Sequence, residues 1–430
     1  MPRLGPCRVA GIALAAFAYP FALGTAGCDH GPRATPAPPA RAGSKARAAS
    51  PAVQPEASAA VPAGRSVSGA PTAGDAPMPG PPPNVVEDKT DAGLPGVRVG
   101  ELSDIGPAAP ATATAEGVVF VSRDERVFVA PRQRGTHPEK LRFEPIDAAG
   151  ASFAPLGRGP SVVRGFAYWV SHGRLVRRAL AGEGALEVLA DGAREASRVS
   201  AAALGDKALV AFIGRPDEQG TSHARLWVEG GKPLTLTPDG AGASSVSLVT
   251  SGDHLLATSI DGRSAMTPMH ARSVKLGAKG PELGTDVVVW VGGPAQRWTE
   301  TFVGTEAGRA YAHVPIERDV THFGLATVNV GAEPHMDSEV TFFDYRNGLD
   351  LAPVATAELC GHAHVAYVRP TTSTPHSPAE LVLVRVATGA ATIVANARGF
   401  ASVSMAALEN GGLLTYVADA RTWALGLGCH

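Results

Sequence analysis

Arg198-Val199-Ser200-Ala201-Ala202-Ala203-Leu204-Gly205-Asp206-Lys207-Ala208-Leu209-Val210-Ala211-Phe212-Ile213 decides the fold, because it recurs near the C-terminus. Ser402-Val403-Ser404-Met405-Ala406-Ala407-Leu408-Glu409-Asn410-Gly411-Gly412-Leu413-Leu414-Thr415-Tyr416-Val417 aligns with it without a gap. Each copy reads as a strand, a polar turn and an apolar strand. A third copy has Val246-Ser247-Leu248, Gly252-Asp253 and Leu255-Leu256-Ala257 in the same order. A looser fourth runs from Val354 to Val368 with its turn near Cys360-Gly361, and Ser161 to Val170 is a shortened one.

Each copy is followed by further strand and turn signals, such as Arg225-Leu226-Trp227-Val228 and then Pro233-Leu234-Thr235-Leu236. Val199 and Val246 are about 47 positions apart, room for four short strands, which is the spacing of one β-propeller blade. A blade is buried on both faces by its neighbours, so its strands should be small and apolar, as these Ala, Val and Leu runs are. The fold class expected is all-β: a propeller of about six or seven four-stranded blades over residues 116–430. Gly117-Val118-Val119-Phe120-Val121 and Arg126-Val127-Phe128-Val129 form its first hairpin, Ala271 to Met336 is the least legible stretch, and no long amphipathic helix is present. A pair of β-sandwiches and a β-helix are the rival folds.

Leu226-Trp227-Val228 through Leu236-Thr237-Pro238-Asp239-Gly240 resembles the blade repeat of TolB-type, WD40-like propellers. The resemblance covers about two blades; the second turn, Asp261-Gly262, lacks the proline.

The N-terminus has a different character. Arg3 and Arg8 precede an uncharged stretch from Val9 to Gly27 that ends in small residues before Cys28. That is the layout of a cleaved export signal over residues 1–27. Thr25-Ala26-Gly27-Cys28 resembles a bacterial lipobox, which implies lipidation at Cys28 and attachment to an inner or outer membrane; it departs from the usual pattern at Thr25, where that family has Leu. Residues 28–115 are rich in Pro, Ala, Gly and Ser and carry no aromatic side chain, so they cannot bury enough apolar surface to offset chain entropy. They read as a lipid-anchored disordered linker with an end-to-end reach of roughly 50 Å or more.

The net charge of −2 offers no field for nucleic acid, and no nucleic-acid partner is expected. Cys360 and Cys429 are the only cysteines of the expected domain, and export would favour a disulfide between them. Nucleophile-elbow, zinc-protease, phosphate-loop and dinucleotide motifs are missing, so no catalytic residue and no cofactor is assigned. His362 and His364 share one face of a strand and are weak metal candidates beside Cys360, although a third ligand would have to come from elsewhere, such as His335 or Asp337. His335, Asp337, Asp344, Tyr345 and Arg346 mark a possible binding loop, within a carboxylate-rich stretch from Asp337 to Asp350. The first functional expectation is therefore a non-enzymatic binding or scaffold protein of the cell envelope with a protein or glycan partner. The alternative is an envelope hydrolase or lyase acting on glycans or peptides through the Asp337–Asp350 loop.

Overall fold

The computed structural model describes residues 94–430, apart from 134–137, 148–149, 155, 157–158, 182–183, 196, 262–266, 279, 293–301, 307–308, 318–321, 332, 345–353 and 371–377. Cys28 and residues 1–27, where an export signal is expected, lie outside the described residues.

The strands follow in chain order. First come β1 (Val97–Pro107), β2 (Ala111–Ala113), β3 (Gly117–Val121) and β4 (Val127–Pro131). Next are β5 (Ser161–Val163), β6 (Phe166–Ser171), β7 (Arg174–Ala179), β8 (Glu187–Asp191), β9 (Val199–Leu204), β10 (Lys207–Ile213), β11 (Ala224–Val228) and β12 (Leu234–Thr235). Then β13 (Ser245–Ser251), β14 (His254–Ile260), β15 (Thr267–Gly277), β16 (Gly280–Leu283) and β17 (Val287–Gly292). These lead to β18 (Phe302–Glu306), β19 (Arg309–Glu317), β20 (His322–Asn329) and β21 (Met336–Asp344). The last seven are β22 (Val354–Leu359), β23 (His362–Pro370), β24 (Ala379–Arg385), β25 (Ala391–Ala397), β26 (Ser402–Leu408), β27 (Gly411–Ala418) and β28 (Arg421–Cys429). Among the described residues the one helical element is a single 3₁₀ turn, Pro138–Lys140.

These strands form seven antiparallel sheets, the blades of a β-propeller. Within a sheet, consecutive strands are hydrogen-bonded neighbours, as in β5-β6-β7-β8 and β22-β23-β24-β25. Two sheets depart from four strands: β2-β3-β4 has three, and β17 adds itself to β15 beside β13-β14-β15-β16. The second strands are the most deeply buried: β27 is buried along its whole length and β10 from Ala208 to Ile213. The side chains of those strands interdigitate with both neighbouring blades, so the core is a set of layers between blades.

The seventh blade closes the ring. β1 pairs with β28, so the order there is β1-β28-β27-β26, with the first strand of the propeller sealing the last sheet. This corrects the domain boundary expected at residue 116. Val97, Val99, Leu102 and Ile105 are spread among Gly, Glu, Asp and Pro in β1, so composition alone merged the strand with the linker. Only Val97 and Ile105 of these four are buried; Val99 and Leu102 remain exposed.

Val97 pairs with Cys429 at one end of this sheet and Pro107 with Arg421 at the other. The chain thus enters the propeller on the face that carries the first turn of each blade, including Cys360-Gly361, and β1 ends on the opposite face. We call these the entry face and the loop face. Cys360 and Cys429 are joined by a disulfide across blades six and seven, with Cα atoms 5.6 Å apart. Cys360 and Gly361 have φ of 55° and 73°, the two consecutive positive values of a type I′ hairpin, which brings the Cys360 side chain to the ring seam.

Candidate functional site

The stretch expected to form a binding loop is a strand over much of its length. Asp337 pairs with Thr327 and Asp344 with His322, so both stand on β21, the outer strand of its blade. Seven residues of extended chain separate them by roughly 23 Å, too far for one carboxylate pair. This corrects the loop reading: the alternation Glu339-Val340-Thr341-Phe342 was a strand signal outweighed by the charge count. Only the backbone of β21 is described, and Tyr345, Arg346 and Asp350 lie outside the described residues. His335 is exposed, and its hydrogen bonds are local: its carbonyl accepts from the Asn329 backbone N–H at 3.1 Å, and its Nδ1 lies 3.3 Å from the Glu333 carbonyl.

The histidine pair on β23 sits at the seam beside the disulfide. His364 is 1 % exposed, and its Nδ1–H donates to the His362 carbonyl at 2.8 Å. Burial holds its pKa down at about 4, with the Arg385 guanidinium and His362 adding to the effect. Arg385 Nη2 stands 2.7 Å from His362 Nε2, and Cys360 is spent in the disulfide. The cluster thus presents a guanidinium where a metal would need a third ligand.

The entry face carries a group of rings and carboxylates that is already filled. Arg177 lies 4.4 Å above the Phe166 ring and 5.8 Å from that of Trp227. It pairs with Glu187 and Glu229, each at 2.9 Å, and its guanidinium holds the Glu229 carboxyl below the usual range. Its role is to lock blades two and three together.

An open groove lies at the rim of the loop face, where β1 ends and β28 begins. Its lining is Asp104, Gly106, Pro107, Pro145, Ile146, Asp147, Ala420 and Arg421, around about 1080 Å³ with the solvent at its mouth included. The Ile146 backbone N–H donates to the Ile105 carbonyl at 3.0 Å and fastens the Pro145–Asp147 wall to β1. Asp104 is paired with Arg421 at 2.6 Å, whereas Asp147 is exposed and has no ion pair among the described residues. The turn feeding the groove is a two-residue hairpin with φ of 49° and 58° at Asp419 and Ala420, the type I′ geometry. Asp104, Asp147 and Arg421 carried no motif; only the strand assignment of β1 could have brought them together.

A second polar group lies between blades three and four, toward the loop face. His270 Nδ1 is 2.7 Å from Asp286 Oδ2, and Arg272 Nη1–H donates to the Leu236 carbonyl of the neighbouring blade at 3.0 Å. With Ser259 they line a cavity with room for about one water.

No family model matches the chain, and no curated protein matches it. Solved structures do. A subtype N10 neuraminidase-like protein from a little yellow-shouldered bat isolate from Guatemala is 9 % identical, with a TM-score of 0.38 over 61 % of this chain and 90 % of its own. Penicillium chrysogenum alpha-L-arabinanase, complexed with arabinobiose, is 12 % identical, with a TM-score of 0.38 over 51 % of this chain and 74 % of its own. A likeness of this size transfers no residue and no activity. The neighbours' names run against the first expectation, a non-enzymatic scaffold, which is not taken further; the likeness itself shows the fold alone.

Proposed function

We propose that this propeller is a glycan hydrolase of the cell envelope, tethered through lipidated Cys28 and working through the rim groove of its loop face. The observation that carries the reading is the pairing of two differently placed carboxylates in one groove: Asp104 beside Arg421, Asp147 without a cation. Glycosidic cleavage needs that asymmetry. Arg421 holds the Asp104 carboxylate in place at the groove, which suits it to face positive charge at the anomeric carbon. Asp147 is then the group that protonates the departing oxygen. Pro107, Pro145 and Ile146 offer apolar walls for the faces of a sugar ring. The lipid anchor and export rest on the Thr25-Ala26-Gly27-Cys28 stretch alone. Val97 and the groove lie at opposite ends of β1.

The test is release of reducing ends from soluble polysaccharides by the full chain. Asp147→Asn should lower turnover at least about 100-fold with unfolding unchanged. Turnover that survives both Asp147→Asn and Asp104→Asn, or its absence in the unmodified protein, would refute the assignment.

A further inference from the structure

We infer that the cavity between blades three and four is a second catalytic site, an esterase centre for small acyl esters, with Ser259 as nucleophile. Four side chains carry this. Ser259 on β14 is paired directly with His270 on β15, so both point to the same face of the sheet. Directly opposite residues of an antiparallel pair have Cβ atoms about 4.5–5.5 Å apart, within reach of a seryl hydroxyl and an imidazole. His270 Nδ1 is occupied by Asp286 at 2.7 Å, which fixes the ring and leaves Nε2 as the basic nitrogen.

The fourth member is Arg272, two residues along β15 on that face. Its Nη1–H is spent on the Leu236 carbonyl, but its Nε is buried and makes no hydrogen bond. Asp286 Oδ1 stands 3.9 Å from it, beyond hydrogen-bond reach. An unspent donor at the wall of the cavity is what a developing oxyanion requires. Nucleophile, base, orienting carboxylate and anion donor thus meet around one small space.

The chemistry is that of acyl transfer. The Ser259 hydroxyl oxygen bonds to the ester carbonyl carbon while its proton passes to His270 Nε2. The C–O bond to the alcohol breaks and that proton leaves with the alcohol, giving acyl-Ser259. Water then attacks the acyl carbon, His270 takes and returns its proton, and the free acid and serine are restored. Room for about one water restricts the acyl group to the smallest, formyl or acetyl.

p-Nitrophenyl acetate tests this with the full chain. The expected result is a burst of p-nitrophenol and an acetyl group on Ser259, read by peptide mass spectrometry. Ser259→Ala should abolish the burst, and His270→Gln should slow it at least about 100-fold. Absence of an acetyl adduct in the unmodified protein, an adduct elsewhere only, or a burst surviving Ser259→Ala would overturn the assignment. The adduct is read on the unsubstituted protein, so a variant that fails to fold does not obscure the answer.

Discussion

His364 is a buried base held in its neutral form at the blade seam. Its pKa is about 4, below the ordinary 6.5, because burial disfavours the imidazolium and the Arg385 guanidinium repels it. Between those two values the unfolded chain binds a proton that the folded one does not. Stability is therefore fully present above pH 6.5 and declines as pH falls toward 4, by about 3 kcal/mol in total. Urea unfolding of His364→Gln at several pH values should show that decline flattened; a slope equal to that of the unsubstituted protein would contradict the account. Cys360, two residues before His362, was legible as a turn residue from the repeat. The environment of His364 was not, because Arg385 approaches from a strand 21 positions later in the chain.

At the scale of elements, the repeated Val-Ser step proves to have a structural role. Ser200 on β9 accepts the Leu248 backbone N–H of β13 at 2.9 Å, and Ser404 on β26 accepts that of Ala113 in β2 at 3.1 Å. Ser161 on β5 does the same for Ala201 of β9 at 2.8 Å. In each case a hydroxyl on one innermost strand satisfies a donor that faces the next blade instead of a ladder partner. Ser404→Ala should leave the Ala113 N–H without its acceptor and lower unfolding free energy by about 1 kcal/mol. Equilibrium denaturation measures this, and a change below about 0.3 kcal/mol would show the hydrogen bond to be incidental. The alignment exposed the serines, yet their purpose appears only when adjacent blades are placed side by side. The blade's Ala355, at the corresponding position of β22, shows that the fold does not need the hydroxyl at every seam.

Ring closure is the property of the whole molecule. β1 and β28 join the two ends of the propeller chain in one sheet, and the disulfide joins that sheet to blade six. The bridge closes a sequence separation of 69 residues, for which the chain-entropy model gives roughly 4 kcal/mol of stabilisation. Addition of reductant should shift denaturant unfolding of the unsubstituted chain to lower concentration. A Cys360→Ser, Cys429→Ser double variant should already unfold there and ignore the reductant. An unsubstituted chain equally indifferent to reductant would count against the bridge as a ring clasp. β1 supplies the complementary closure through backbone pairing from Val97↔Cys429 to Pro107↔Arg421.

The sequence by itself determined the all-β class, the blade period and the turns at Gly205-Asp206, Gly252-Asp253 and Cys360-Gly361, because these rest on local backbone preference and on alternation within a few residues. It also singled out the two cysteines as partners, since they are the only thiols after Cys28. Tertiary structure alone decided that β1 belongs to the last blade, that Asp104 and Asp147 share a groove with Arg421, and that Ser259 stands opposite His270. Those are meetings of residues far apart in the chain or on strands whose register no local pattern specifies. A propeller makes them by stacking blades and closing a ring, and both operations depend on burial summed over the entire domain.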